Sequence, residues 1–165
     1  MKMPAFIHAL ADCQSHQIGE ETRIWQFTII MKGAVIGRNC NINCHCFIEN
    51  DVIVGDNVTV KSGVYLWDAI RIENDVFIGP NVTFTTDKYP RSKDYPVGYP
   101  QTIVRRGASI GGGAIILPGV EIGEYAMIGA GAIVARDVPS RAVVRGLPSE
   151  VMRYLDRPER DPSQV

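Results

Sequence analysis

The chain has 165 residues, 45% of them apolar and 21% charged, and its 17 basic and 18 acidic side chains leave a formal net charge of -1. That length suits one domain, since domains run to roughly 100 to 200 residues, and the composition belongs to a chain that packs a core, not to a disordered one. The near-neutral balance excludes a surface built to coat nucleic acid or an anionic membrane, and no run approaches the ~18 apolar residues of a membrane span.

The opening MKMPAFIHAL lacks both the apolar core and the small-residue cleavage pattern of a secretory signal, so a cytoplasmic protein is expected. Its four cysteines (Cys13, Cys40, Cys44 and Cys46) are then expected to be free thiols. From residue 18 a fixed period takes over. Every sixth position is apolar: Ile18, Ile24, Ile30, Ile36, Ile42, Ile48, Val54, Val60, Leu66, Ile72, Ile78 and Phe84. The period resumes at Val104 and runs through Ile110, Ile116, Ile122 and Ile128 to Val134. Two positions before each anchor stands a small or β-branched residue, as at Ala34, Cys40, Cys46, Val52 and Ala114. Three positions after it come turn-tolerant residues such as Asn39, His45, Asn57, Gly63 and Asn81. An inward pair and a turn every six residues describe short parallel strands wound into a three-sided coil, one turn per 18 residues. The expected fold is all-β, a parallel β-helix, with coils over about 12–84 and 102–138.

Because residues 18 apart stack, outward side chains sort onto faces. One face shows Ile29, Met31, Phe47, Tyr65 and Trp67 beside Glu49, Thr83 and Thr85, too apolar for water, and is expected to be a subunit contact closing a homotrimer. His45 stands at one edge of that face, in register with Gly63 and Asn81. Asp51, Ala69 and Asp87 stand at the other edge, with Asp68 one step back. Clefts between subunits are therefore expected to be lined by His45, Asn81, Asp68 and Asp87. Residues 85–101 carry three prolines, three tyrosines and several charges, and form an insertion loop. Tyr89, Arg91, Tyr95 and Tyr99 suit a planar or phosphorylated ligand, or simply a neighbouring subunit. After residue 139 a loop and a short capping helix are expected, starting at Ser149 with Glu150 in its first turn.

His45 is the one histidine within the regular coils, and imidazole suits proton removal from an attacking amine or hydroxyl; a turn residue or a plain substrate contact fits the same slot. Cys40, Cys44, His45 and Cys46 are zinc-type ligands, but Cys40 and Cys46 fall in the small inward slot on different sides of the coil, so no metal is expected. Gly111, Gly112 and Gly113 follow a coil strand, not a strand that opens a helix, and read as a tight corner. Arg136, Arg141 and Arg145 suit a phosphate-rich ligand or a solvated basic edge equally.

With the hexad pattern in hand, the chain resembles the hexapeptide-repeat acyltransferases, a left-handed β-helix family that uses acyl-coenzyme A. The segments Gly19 to Phe27, Ile42 to Ile70 (INCHCFIENDVIVGDNVTVKSGVYLWDAI), FIGPNVTFTTDKYPRS and IGAGAIVARDVP resemble, more narrowly, sugar-nucleotide 3-N-acyltransferases acting on nucleotide-linked 3-amino-3,6-dideoxyhexoses. The chain departs from that pattern at Thr86, where asparagine is expected, and at Gln26, where many members have histidine. The resemblance implies a trimer with sites between subunits, acetyl-coenzyme A as co-substrate, and direct attack by the sugar amine. It implies His45 as base and Glu49, Trp67, Asp68, Asn81, Asp87, Tyr89 and Arg91 as substrate contacts. Coenzyme A would lie along the C-terminal coils at Gly112, Ala130, Arg136 and Arg141. An O-acetyltransferase and a noncatalytic trimeric scaffold are the rival readings. A zinc enzyme of the same fold would need three converging histidines, and His8 and His16 precede the coils.

Overall fold

The computed structural model describes residues 3–147 and 150–154. Among them every regular element is a strand, most only two residues long, and the strands stack into three sheets of nine, seven and five strands, parallel except at the last strand of the first. Successive strands visit the sheets in turn. Arg23–Ile24 lies under Asn41–Ile42 in the nine-stranded sheet, Ile29–Ile30 under Phe47–Ile48 in the seven-stranded sheet, and Val35–Ile36 under Ile53–Val54 in the five-stranded one. This 18-residue register is a parallel β-helix, consistent with the left-handed coil that the family resemblance implies.

The physical reason is visible in one hexad. A two-residue strand cannot bury itself, but its backbone N–H and C=O groups reach the coils above and below, as in Arg23 N to Cys40 O (2.8 Å) and Asn41 N to Val58 O (2.8 Å). Each anchor then points inward: Ile24, Ile42 and Val60 are fully buried, and so are the small partners Ala34, Val52 and Ala114. Large anchor against small partner fills a narrow prism at close-packed density. The corners between sides demand a left-handed residue, and Asn39, His45, Asn57, Gly63, Ala69, Asp75 and Asn81 all have positive φ.

The coil is interrupted once. After Thr83–Phe84 the chain leaves the corner between the seven- and five-stranded sheets and returns at Thr102–Val104, which pairs with Ile70–Ile72. The excursion is exposed and makes its own turn, with an isolated antiparallel bridge between Arg91 and Asp94 around Lys93 (φ 62).

The C-terminal expectation is corrected. Ser149 lies outside the described residues, but Glu150–Tyr154 is a strand, not a helix, paired antiparallel with Ala142–Arg145. The last coil would otherwise end in a row of open backbone groups. A five-residue strand satisfies that row, whereas one helical turn bears the full nucleation cost and satisfies none of it.

Candidate functional site

The apolar side found in the sequence is the outer face of the seven-stranded sheet. Phe47, Tyr65 and Trp67 pack in T-shaped and tilted pairs, with ring centroids 5.6 to 6.4 Å apart. Tyr65 is 49% exposed and Ile29 40%. The upper coils continue the face with Ile115 and Ile133, stacked over Thr83. This strip is flanked by two corners, and the expected site residues divide between them.

The first corner joins the nine- and seven-stranded sheets. The backbone register stacks Phe27, His45, Gly63, Asn81, Gly113 and Gly131 along it. His45 is exposed, and its ring lies against Phe27 at 5.1 Å with an interplanar angle of 25°. Among the described residues its imidazole has no hydrogen-bond partner, so both nitrogens are open to a substrate. A pocket beside it is walled by Phe27, Ile29, Phe47, Tyr65 and Trp67. The space that Gly63 frees beside the imidazole is used: the Asn81 carboxamide oxygen sits where a Gly63 side chain would be. An imidazole and a carboxamide therefore share one wall.

The second corner joins the seven- and five-stranded sheets and holds a chain of carboxylates. Glu49 Oε2 accepts the Asp68 N–H (2.7 Å), Asp68 Oδ1 accepts the Asp51 N–H (2.7 Å), and Asp51 pairs with Arg71 (2.7 Å). Each of Glu49 and Asp68 spends one oxygen on backbone and keeps the other. Trp67 donates its indole N–H to the Phe84 carbonyl (2.9 Å), so it offers a ligand only a ring face and edge. Asp87, which a strict 18-residue register puts over Ala69, instead opens the excursion: its Oδ1 accepts the Tyr89 N–H (2.8 Å), and the Ala69 carbonyl takes the N–H of Thr102. Tyr89 is 82% exposed, and the Arg91 guanidinium bonds its neighbour's carbonyl, Pro90 O (2.9 Å). Within one chain, His45 and Asn81 are thus separated from Asp68, Asp87, Tyr89 and Arg91 by the width of the apolar face, six residues or at most about 20 Å of extended backbone.

The residues expected along coenzyme A divide further. Gly112 and Ala130 stand on the first corner, four and five coils above Gln26, where the side chains of Gly113 and Gly131 would meet nothing within 4 Å. Arg136 falls on the second corner, past Ile133–Val134. Arg141 falls on the third, between the five- and nine-stranded sheets, stacked over Tyr125 at 5.7 Å. The bare upper part of the first corner leaves backbone open to a long, thin donor such as pantetheine, while the two arginines are far from it in the same chain.

The thiols are inward, as their slots require. Cys40 Sγ approaches Gly55 O (3.0 Å) and Cys46 Sγ approaches Lys61 O (3.3 Å), and burial pushes the Cys46 thiol up to about 11. Both are protonated core residues at neutral pH. Two features escaped the sequence reading: the Phe27 ring under His45, and the backbone-anchored Glu49–Asp68–Asp51 chain. The first was legible, since Phe27 and His45 are 18 apart; the second needs coordinates, because it joins side chains to the backbone of a neighbouring coil.

Comparison with known proteins agrees with this geometry. The bacterial transferase hexapeptide family (six repeats) matches residues 15–50 and 101–136, on either side of the excursion. The chain is 54% identical, over 150 residues covering 91% of it and 78% of the relative, to the dTDP-3-amino-3,6-dideoxy-alpha-D-galactopyranose 3-N-acetyltransferase of Aneurinibacillus thermoaerophilus. It is 32% identical to the galactoside O-acetyltransferase of Escherichia coli over 73% of this chain, spanning about half (54%) of that protein. A hexapeptide-repeat acetyltransferase from Vibrio cholerae, solved with acetyl coenzyme A, superposes with a TM-score of 0.61 at 26% identity, covering 73% of this chain and 72% of that one. With its repeat matched on both sides of the excursion and its likeness running over nine-tenths of its length, this chain belongs to the bacterial hexapeptide-repeat transferases.

Proposed function

We propose that this chain is an acyl-coenzyme A-dependent N-acyltransferase that moves an acetyl group to the 3-amino group of a nucleotide-linked 3-amino-3,6-dideoxyhexose. The observation that carries the reading is the likeness to the Aneurinibacillus 3-N-acetyltransferase, in which more than half of the aligned residues are identical. The first corner supplies chemistry that suits it. The unprotonated amine adds to the thioester carbonyl carbon, His45 takes the proton as the N–C bond forms, and the C–S bond breaks to release thiolate, which collects that proton. A backbone N–H steadies the oxyanion, and Asn81 orients the sugar. Glu49 and Asp68, each with one oxygen to spare, Trp67 through its ring, and Asp87, Tyr89 and Arg91 from the excursion hold the sugar nucleotide. Gly112 and Ala130 line the donor's path, and Arg136, brought from the second corner of a neighbouring copy, meets its phosphates; Arg141, on the corner opposite the shared face, stands apart from them. No metal takes part, and the reaction belongs in the cytoplasm, where acyl-coenzyme A is made.

The working unit is a homotrimer. The two corners lie at opposite edges of one apolar face, so three copies meeting through that face set the first corner of one beside the second corner of the next. That joins the two halves of the substrate site, which one chain keeps apart.

The test is to incubate the protein with acetyl-coenzyme A and paired amino and hydroxy sugar nucleotides while following free thiol and product mass. Thiol release with a 3-amino acceptor is the expected outcome. Release with hydroxy acceptors alone would make the enzyme an O-acetyltransferase, and absence of acetyl-coenzyme A binding by calorimetry would leave a scaffold.

A further inference from the structure

Phe27 occupies the corner slot directly beneath His45, with φ 60 and 53% of its surface exposed. Most corners of the coil hold Asn, Asp or Gly at this slot, the residues that enter the left-handed region at low cost, with Glu21, Ala69, Tyr125 and Arg141 as further exceptions. A bulky aromatic there is a steric outlier, and an outlier that persists at a candidate site points to a role. Burial within the chain does not account for it, because more than half of the residue is exposed there. What the ring does touch is His45: the two planes are 25° from parallel at 5.1 Å.

His45 needs such a contact. Its χ2 is a broad torsion, and among the described residues no hydrogen bond fixes the imidazole. On the other side Gly63 contributes no side chain, and the Asn81 carboxamide lies beyond it. We infer that Phe27 is a positioning residue: the phenyl ring is the surface on which the imidazole lies flat, so that a nitrogen edge rather than the ring face meets the acceptor amine. The inference rests on the reading of His45 as the base.

Two variants separate this role from a structural one. Phe27→Asn removes the ring and favours the backbone conformation, so its melting temperature is expected to equal or exceed that of the parent. Phe27→Tyr keeps the ring. With the amino acceptor that the parent uses, kcat of Phe27→Asn is expected to fall about tenfold while both KM values stay within about twofold, and Phe27→Tyr to keep kcat within about twofold. The His45 ring-proton resonances, assigned by their loss in His45→Gln, should move downfield in Phe27→Asn, where the phenyl ring current is gone, and stay in place in Phe27→Tyr. Parental kcat in Phe27→Asn, an equal loss in Phe27→Tyr, or unmoved His45 resonances would each overturn the inference while leaving the proposed activity standing. A parent protein that acylates no amino sugar nucleotide would defeat both.

Discussion

At the scale of single residues, the first corner combines two demands that rarely coincide, a left-handed backbone and a working side chain. Histidine meets both, being among the residues enriched at positive φ and carrying the proton acceptor that amide formation needs. If it is the base, His45→Asn keeps the corner and removes the acceptor. The variant is expected to fold like the parent and to lose at least about a hundredfold in kcat, the usual range for general base catalysis. Near-normal turnover would remove His45 from the role and leave the departing sulfur to collect the proton. Gly63 is a second test of the same wall. Its φ of 78 penalises any side chain, and an added methyl would meet the Asn81 amide oxygen. That oxygen is the end of a flexible side chain and can give way, so the backbone dominates: Gly63→Ala should cost roughly 1 to 2 kcal/mol in urea unfolding. Displacement of Asn81 should appear separately, as a raised KM for the sugar nucleotide with the donor KM unchanged.

At the scale of elements, each strand is too short to hold itself, so ties between coils matter more than ties along the chain. On the third corner Asn39 Nδ2 donates to Asn57 Oδ1 (3.0 Å), and Asn57 Nδ2 donates to Asp75 Oδ1 (3.0 Å). Asn57→Ala breaks both links and forces alanine to φ 58, for an expected loss of about 1 to 3 kcal/mol; Asn57→Gly, which loses the links alone, should lose less. Denaturant unfolding of the pair checks the order, and an Asn57→Gly that is the less stable of the two would show the ladder to outweigh the backbone. On the five-stranded face Arg105 ties three coils, bonding Glu121 through two nitrogens (2.9 and 3.0 Å) and Glu73 through a third (2.8 Å). Those hydrogen bonds hold the Glu121 carboxyl below its ordinary value of 4.5. A carboxylate whose folded pKa is depressed stabilises above its unfolded pKa, and the contribution is lost as pH falls through the folded one. The melting temperature should therefore drop below about pH 4.5, and Glu121→Gln should lie lower at pH 7 yet show a shallower acid drop. The group is exposed, so the difference is a few tenths of a kcal/mol. Parallel acid limbs for the two proteins would exclude the tie as a source of acid sensitivity.

At the scale of the whole molecule, the apolar side is a departure from what a lone chain in water presents, with Ile29 and Tyr65 both exposed on it. If it closes a trimer, sedimentation should give three times the chain mass. Tyr65→Arg, which puts a charge at its centre, should shift the protein toward monomer and abolish turnover without altering the coil's circular dichroism. A parent protein that sediments as a monomer with full activity would show that one chain holds a complete site.

The order of inward and corner residues was legible in the sequence because a period of six is a local rule: each hexad repeats the same geometry, and the anchors from Ile24 to Val134 all enter the core. The apolar face and the His45–Gly63–Asn81 column were legible for the same reason, since a constant register converts sequence separation into vertical stacking. Where the repeat stops, that conversion fails. The terminal segment Glu150–Tyr154 became a strand because the open edge of Ala142–Arg145 lay beside it, a fact of three-dimensional proximity that its own residues do not encode. Asp87 left its column because the excursion begins there. The 18-residue separation puts Phe27 under His45, but that the two rings lie nearly parallel, at 25°, is decided by side-chain packing in the folded prism. Local periodicity determines the coil; only the assembled prism decides which side chains share a wall.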